Sequence, residues 1–302
     1  MDVTERKRTI TLDRPVDLGL TLRPLRRGGL DPSMRIGPDG VWRATRTPAG
    51  PVTTLLTAEG ARVSARAWGP GAQWALDALP DLVGASDIDD DFAPRDPVVA
   101  DLRRQQRGLR ISRSAAVVEA LVPSILEQKV VGLEARRSYA GLVRSLGEPA
   151  PGPGKLLLPP APATLAATPT WAFHRFGIEA KRADTVRVAC SYAARLEEVT
   201  AMALADAYRR LTALPGVGPW TAAEVAIVAL GDADAVSVGD YHLPNLVAWA
   251  MAGEARADDA RMLELLEPYR GHRGRVIRLI VSGGPRPPRF GPRMPLRSIA
   301  GT

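Results

Sequence analysis

The stretch LPGVGPWTA, Leu214–Ala222, breaks a helical pattern with glycine and proline in close succession and resumes it at once. On its N-terminal side, ALADAYRRLTAL has helical periodicity. On its C-terminal side lies AVSVGDYHLPNLVAWAM, a short extended approach to Asp240 followed by another helix. Two helices joined by a Gly-x-Gly hairpin leave the backbone N–H groups of the turn, and those of the next helix's first turn, without intrahelical partners. Glycine lets the chain turn tightly and lets a ligand approach the backbone, and a helix N-terminus favours negative charge. The hairpin therefore reads as a phosphate clamp or, more plainly, as an ordinary helix-to-helix turn. Asp240 stands twenty-two residues beyond Gly218. Alone it would be a helix N-cap, a role compatible with chemistry because a carboxylate held at a helix start is both positioned and kept ionised.

Composition is consistent with a polyanionic partner. The chain of 302 residues has 45% apolar and 24% charged residues, and its 40 Lys and Arg against 33 Asp and Glu give a formal charge of +7. The positive residues are nearly all Arg, which makes forked hydrogen bonds to phosphate and stays charged, although an Arg-rich composition of this kind also follows from genomic base composition. No apolar run reaches the roughly 18 residues of a membrane helix, and the opening MDVTERKRTI lacks the apolar core of a secretory signal; the expected location is the cytoplasm, with the nucleoid. Cys190 is the single cysteine. It offers no disulfide partner, no four-thiolate iron–sulfur site and no thiolate pair for structural zinc, and His174, His242 and His272 stand at no metal-ligand spacing.

Along the chain, three regions separate. Residues 1–95 form an α+β N-terminal domain. VWRATRTPAG and ARVSARAWG alternate as half-buried antiparallel strands, RTITLDRPVDLGLTLRPL has a similar extended pattern, GAQWALDALPDLVG is a short helix, and the acidic SDIDDDFAPRDP is a turn-rich connector. Residues 96–282 are helical. In SRSAAVVEALVPSILEQKVVGLEARRSYAGLVRSLG the apolar set Val117, Val118, Leu121, Val122, Ile125 and Leu126 makes a broad buried stripe, with Pro123 expected to kink or break it. EPAPGPGKLLLPPAPAT reads as a proline-rich surface loop, and EAKRADTVRVACSYAARLEE as a helix. Residues 283–302 read as a basic, proline-rich, mostly disordered tail. The fold class is mainly α with an α+β N-terminal domain.

LPGVGPWTA with Trp220, GDYHLPN with Tyr241 after the Asp, SILEQKV, IEAKRADTV and EPYRGHRGRV together resemble the helix-hairpin-helix (HhH-GPD) DNA glycosylase superfamily, nearest its bacterial 3-methyladenine DNA glycosylase II (AlkA-like) branch. The resemblance covers about residues 105–282; the N-terminal segment resembles, more weakly, the TBP-like domain of that branch. The resemblance implies a DNA repair enzyme of base excision, a hydrolase of the N-glycosidic bond that flips damaged, alkylated purines out of duplex DNA. In it, Asp240 is catalytic, and Trp220, Glu224 and Tyr269 line the base pocket. Gly216, Val217, Gly218 and Thr221 bind a DNA phosphate. Gln128 and Lys129 reach the minor groove, or are simply a polar pair at a helix end. The backbone carbonyls of Thr212, Leu214 and Val217 hold a monovalent cation, Na+ or K+. No other cofactor and no iron–sulfur cluster is expected, and the chain is expected to act as a monomer on double-stranded DNA.

Two departures from that pattern stand out. Glu224 occupies the place of a second pocket aromatic, and Tyr269 that of a common Trp. The position of Trp220 is Lys in endonuclease III-like relatives, where the amine attacks the sugar; Trp cannot form a Schiff base, which implies a monofunctional enzyme. Two alternatives remain open: a non-catalytic DNA grip, and a bifunctional glycosylase/lyase using Lys129.

Overall fold

The computed structural model describes residues 4–288. The N-terminal part is a five-stranded antiparallel sheet, β1 (Glu5–Thr11), β2 (Met34–Gly37), β3 (Gly40–Thr47), β4 (Gly50–Glu59) and β5 (Arg62–Trp68), in the order β1-β5-β4-β3-β2. Tight hairpins connect β2 to β5 in sequence; Gly40, Gly50 and Gly60, all at positive φ, sit at their corners, where a side chain would be strained. The strands expected over VWRATRTPAG and ARVSARAWG are present as β3 and β5, with β4 hydrogen-bonded between them. Leu18–Leu22, however, is helical (α1) rather than extended: the Asp17 carboxylate caps it by accepting from the Leu20 N–H at 2.9 Å.

Period-2 alternation gives this sheet two apolar faces. Val41, Leu56, Val63, Ala65 and Ala67 pack against α1, α2 (Ala72–Asp77) and α3 (Leu79–Leu82). Trp42, Leu55 and Trp68 face the other way, the two indoles stacked with centroids 5.6 Å apart. That second face would be left wet by a free surface loop. Instead the proline-rich stretch folds onto it, with Leu156 and Leu158 buried against the indoles and a small ladder pairing β6 (Glu148–Pro149) with β7 (Leu157–Leu158). The expectation of a surface loop is corrected by the burial of exposed tryptophan that it supplies.

Two helical cores follow. The first contains α5 (Val117–Leu126), α6 (Gly132–Leu146), α7 (Pro162–Ala167), α8 (Ala180–Ser191), α9 (Ala193–Glu197), α10 (Leu204–Thr212) and α11 (Pro219–Val225). The second joins α4 (Pro97–Gln105), which precedes all of these, to α12 (Leu243–Ala252), α13 (Asp259–Leu266) and α14 (Arg273–Gly283), with Phe92 from the connector inside it. Pro123 lies buried within α5 without ending it; the interruption comes at Glu127–Val131, where Lys129 has φ +56°. The helix expected over 179–198 is likewise divided, at Tyr192. No helix among the described residues is long and apolar enough to cross a membrane. Most of the tail expected to be disordered, from residue 289 on, lies outside the described residues.

Candidate active site at the hairpin

The hairpin hangs from the first core by two anchors. Leu214 and Val217 are buried in it, and the Val217 N–H donates to the Leu214 carbonyl at 3.0 Å, closing the turn between α10 and α11. Gly216 has φ +85°, and a Cβ there would stand 2.6 Å from Thr185 Oγ1. Gly218 is extended and exposed, with nothing within 4 Å of a would-be Cβ. The two glycines thus do different jobs: the first permits the turn, the second keeps the backbone bare. Among the described residues the N–H groups of Gly216, Gly218 and Trp220 have no acceptor, which leaves a row of outward donors at a helix start. Gly216→Ala is expected to cost about 2 kcal/mol or more through the left-handed φ and the Thr185 contact, and Gly218→Ala less than about 0.5 kcal/mol. Thermal melting of the two variants checks this; equal losses would contradict it.

Gln128 is drawn to this turn from the end of α5. Its Nε2 donates to the Gly216 carbonyl and to Thr221 Oγ1, both at 2.9 Å, so the side chain braces the hairpin. Its neighbour Lys129 is exposed. Thr212, at the end of α10, turns its hydroxyl back onto the Tyr208 carbonyl at 2.8 Å. Among the described residues, no group of three or more His, Cys, Asp or Glu is placed to hold a metal ion.

Asp240 meets the hairpin from the second core. Trp220, one residue inside α11, donates its indole N–H to Asp240 Oδ2 at 3.0 Å. Asp240 Oδ1 accepts the N–H groups of His242 and Leu243, each at 2.8 Å, at the start of α12. The carboxylate is therefore both a helix-start acceptor and the partner of the hairpin's aromatic, half-buried and fixed from two directions. Next to it, Tyr241 is 84% exposed.

Glu224 lies one turn beyond Trp220 on α11 and accepts a hydrogen bond from Ser237. Burial pushes its carboxyl above the ordinary range; the charges of Glu127 and Asp240 act in the same direction, while the Ser237 hydrogen bond and the Arg27 charge oppose them. Arg278 on α14 feels Glu224's charge; burial pulls its guanidinium down to about 10, and its side chain donates to the Leu20 carbonyl at 3.2 Å. Glu224 thus lies on the Trp220 side of α11, as the four-residue spacing predicts, and Asp240 meets Trp220 from the second core. Arg270 pairs with Glu267.

Tyr269 is corrected. It is 3% exposed, packs against Phe92, and its hydroxyl donates to the Asp96 carboxylate at 2.6 Å while accepting the N–H groups of Arg95 and Asp96. With ring and hydroxyl both engaged, it pins the start of α4 to the second core and presents no face to a base. The Trp220–Asp240 hydrogen bond and the Gln128 brace were not legible beforehand, since neither follows from sequence spacing.

Solved structures share this architecture. A 3-methyladenine DNA glycosylase from Archaeoglobus fulgidus matches with a TM-score of 0.77 at 19% identity, over 91% of this chain and 97% of that one. The apo form of the Clostridium acetobutylicum 8-oxoguanine glycosylase/lyase matches with a TM-score of 0.69 at 13% identity, over 92% and 97%. A Schizosaccharomyces pombe 3-methyladenine DNA glycosylase in complex with abasic DNA matches with a TM-score of 0.50 at 15% identity, over 68% and 95%. The chain has the fold of these glycosylases. No protein-family model and no curated protein matches it by sequence.

Proposed function

We propose that the protein is a monofunctional DNA glycosylase that removes alkylated purines from duplex DNA. The observation that carries this reading is the hydrogen bond from Trp220, at the first turn after the hairpin, to the carboxylate of Asp240. It joins a row of bare backbone donors suited to a DNA phosphate to an oriented carboxylate and an aromatic face. The fold, shared with structures of DNA glycosylases, supports the same reading.

In this mechanism the damaged nucleotide leaves the stack, at a cost of a few kcal/mol that is smaller for a weakened pair. The hairpin N–H groups hold the phosphate, and Asp240 stabilises positive charge developing on the deoxyribose and orients water at C1′. An alkylated base is already cationic and departs without a strong general acid. Lys129 is exposed beyond α5, whereas the hairpin position that would carry a Schiff-base amine is Trp220. The carbonyls of Thr212, Leu214 and Val217 are the donors proposed for a monovalent cation; neutral carbonyl oxygens at a turn are chemically suited to Na+ or K+.

Glu224 is proposed to tune which base is taken. Base release from duplexes carrying methylated purines, hypoxanthine, ethenoadenine and uracil tests the whole reading. Methylated purines are expected to be released fastest, leaving an intact abasic strand that breaks only with alkali. Borohydride trapping of a protein–DNA adduct that is lost in Lys129→Ala would instead establish a lyase. Because Glu224 stays neutral to a higher pH than an ordinary carboxyl, its attraction for a cationic purine grows as pH rises through that raised value. The preference for methylated purines over hypoxanthine should therefore increase with pH in the wild type and be flat in Glu224→Gln. Equal pH profiles would remove Glu224 from base selection.

A further inference from the structure

Asp240 is delivered by a short segment, residues 237–240, that leaves the π-helical turn Ala226–Leu230 by way of a loop and enters α12. Each end of the segment is held: Ser237 donates to Glu224, and Asp240 itself takes the N–H groups of α12. Between them Gly239 has φ +91°, although a Cβ there would meet nothing within 4 Å, so the conformation rather than crowding calls for glycine. That conformation turns the Gly239 N–H onto Asp259 Oδ2 at 2.9 Å.

Asp259 is the first residue of α13, but the capping of that helix is done by its neighbour. Asp258 Oδ1 accepts from the Arg261 N–H at 2.9 Å. Asp259 is half-buried, and its second oxygen, Oδ1, is buried without a hydrogen-bond partner among the described residues. Its place in the first turn of α13 favours a negative charge, but an unsatisfied carboxylate oxygen is costly and offsets that gain. The contact it does make falls on the residue immediately before Asp240.

We propose that Asp259 is a positioning residue for Asp240, holding the Gly239 backbone so that the carboxylate meets the Trp220 indole and the reacting sugar in one orientation. The inference rests on the reading of Asp240 as the charge-stabilising group. Misplacement of a catalytic group by about 1 Å costs on the order of 100-fold.

The test compares Asp259→Ala and Asp259→Asn in the full-length protein, on whichever duplex of the panel the wild type processes fastest. Single-turnover base release, duplex affinity and Gly239 amide exchange by NMR are measured at a temperature where each protein is folded. Asp259→Ala is expected to slow release by about 10- to 100-fold and speed Gly239 exchange, with affinity within about threefold. Asp259→Asn should recover most of the rate and protection, because the amide oxygen can accept the same N–H. Unchanged release in Asp259→Ala overturns the proposal, and so does an Asn variant as impaired as Ala, which would point to the charge at the start of α13. Asp240→Asn, run alongside, separates the two ideas: an unaffected rate there would defeat the reading of Asp240, whereas an inactive Asp240→Asn with a normal Asp259→Ala would defeat only the positioning role.

Discussion

Asp240→Asn is expected to abolish base release, slowing the single-turnover rate by three orders of magnitude or more, while duplex affinity stays within a few-fold of wild type. The size follows from the role: preorganised electrostatic stabilisation of a developing cation is usually the largest single contribution to catalysis, and the substitution removes the charge while keeping the shape. The amide can still accept from the Trp220 indole or from the start of α12, so the local structure should survive. Binding rests on the separate hairpin donors and should be nearly unchanged. Wild-type turnover in the Asn variant would take Asp240 out of the chemistry and favour a non-catalytic DNA grip. Equal loss of affinity and rate would point instead to a distorted hairpin.

Asp87→Ala is expected to cost about 3–5 kcal/mol of stability, the usual penalty for stripping one member from a buried ion pair. The Asp87 and Arg275 side chains are 2% and 3% exposed. Arg275 donates to both Asp87 oxygens, and the Ile111 N–H adds a 2.9 Å bond to Oδ2. Removing the carboxylate would leave a guanidinium buried beside Phe92 without its counter-charge. The same reasoning makes Asp87→Leu combined with Arg275→Met milder than Asp87→Ala alone, because no uncompensated charge remains. Denaturant unfolding measures both; a loss below about 1 kcal/mol in Asp87→Ala would mean that water reaches Arg275.

Asp87 also marks where reading along the chain stops working. It belongs to SDIDDDFAPRDP, whose acids and prolines describe a solvated connector, yet Asp87 clasps α14, Asp96 holds Tyr269, and Phe92 is inside the second core. An acidic turn and an acidic clasp have the same composition; they differ only in whether an arginine distant in sequence is folded against them. Leu18–Leu22 and the proline-rich stretch depart from their sequence patterns for related reasons. The first is too short for its period to be diagnostic, and its Asp17 cap wins locally. The second is buried only because the stacked Trp42 and Trp68 need cover.

The hairpin and its aspartate were legible because each is local. A Gly-x-Gly turn at the start of a helix, an aromatic one residue inside it and a carboxylate at the next helix start are properties of short windows. That the aspartate meets the hairpin is what the family resemblance implies, not what a separation of twenty-two residues dictates, whereas Glu224, one turn beyond Trp220, follows from the helix period. Strand alternation around Trp42 and Trp68 and the stripe through Val117–Leu126 were legible for the same reason, since period alone decides which face is buried. What the sequence by itself determined was therefore the class of fold, the Gly-x-Gly turn with Trp220 and Glu224 on one face of the helix after it, and an aspartate at the next helix start. Only the tertiary structure decided that Tyr269 is an internal clasp, that Gln128 braces the turn and that Asp259 holds Gly239, because each of these is a hydrogen bond between groups brought together by the packing of separate helices, and no periodicity encodes a partner.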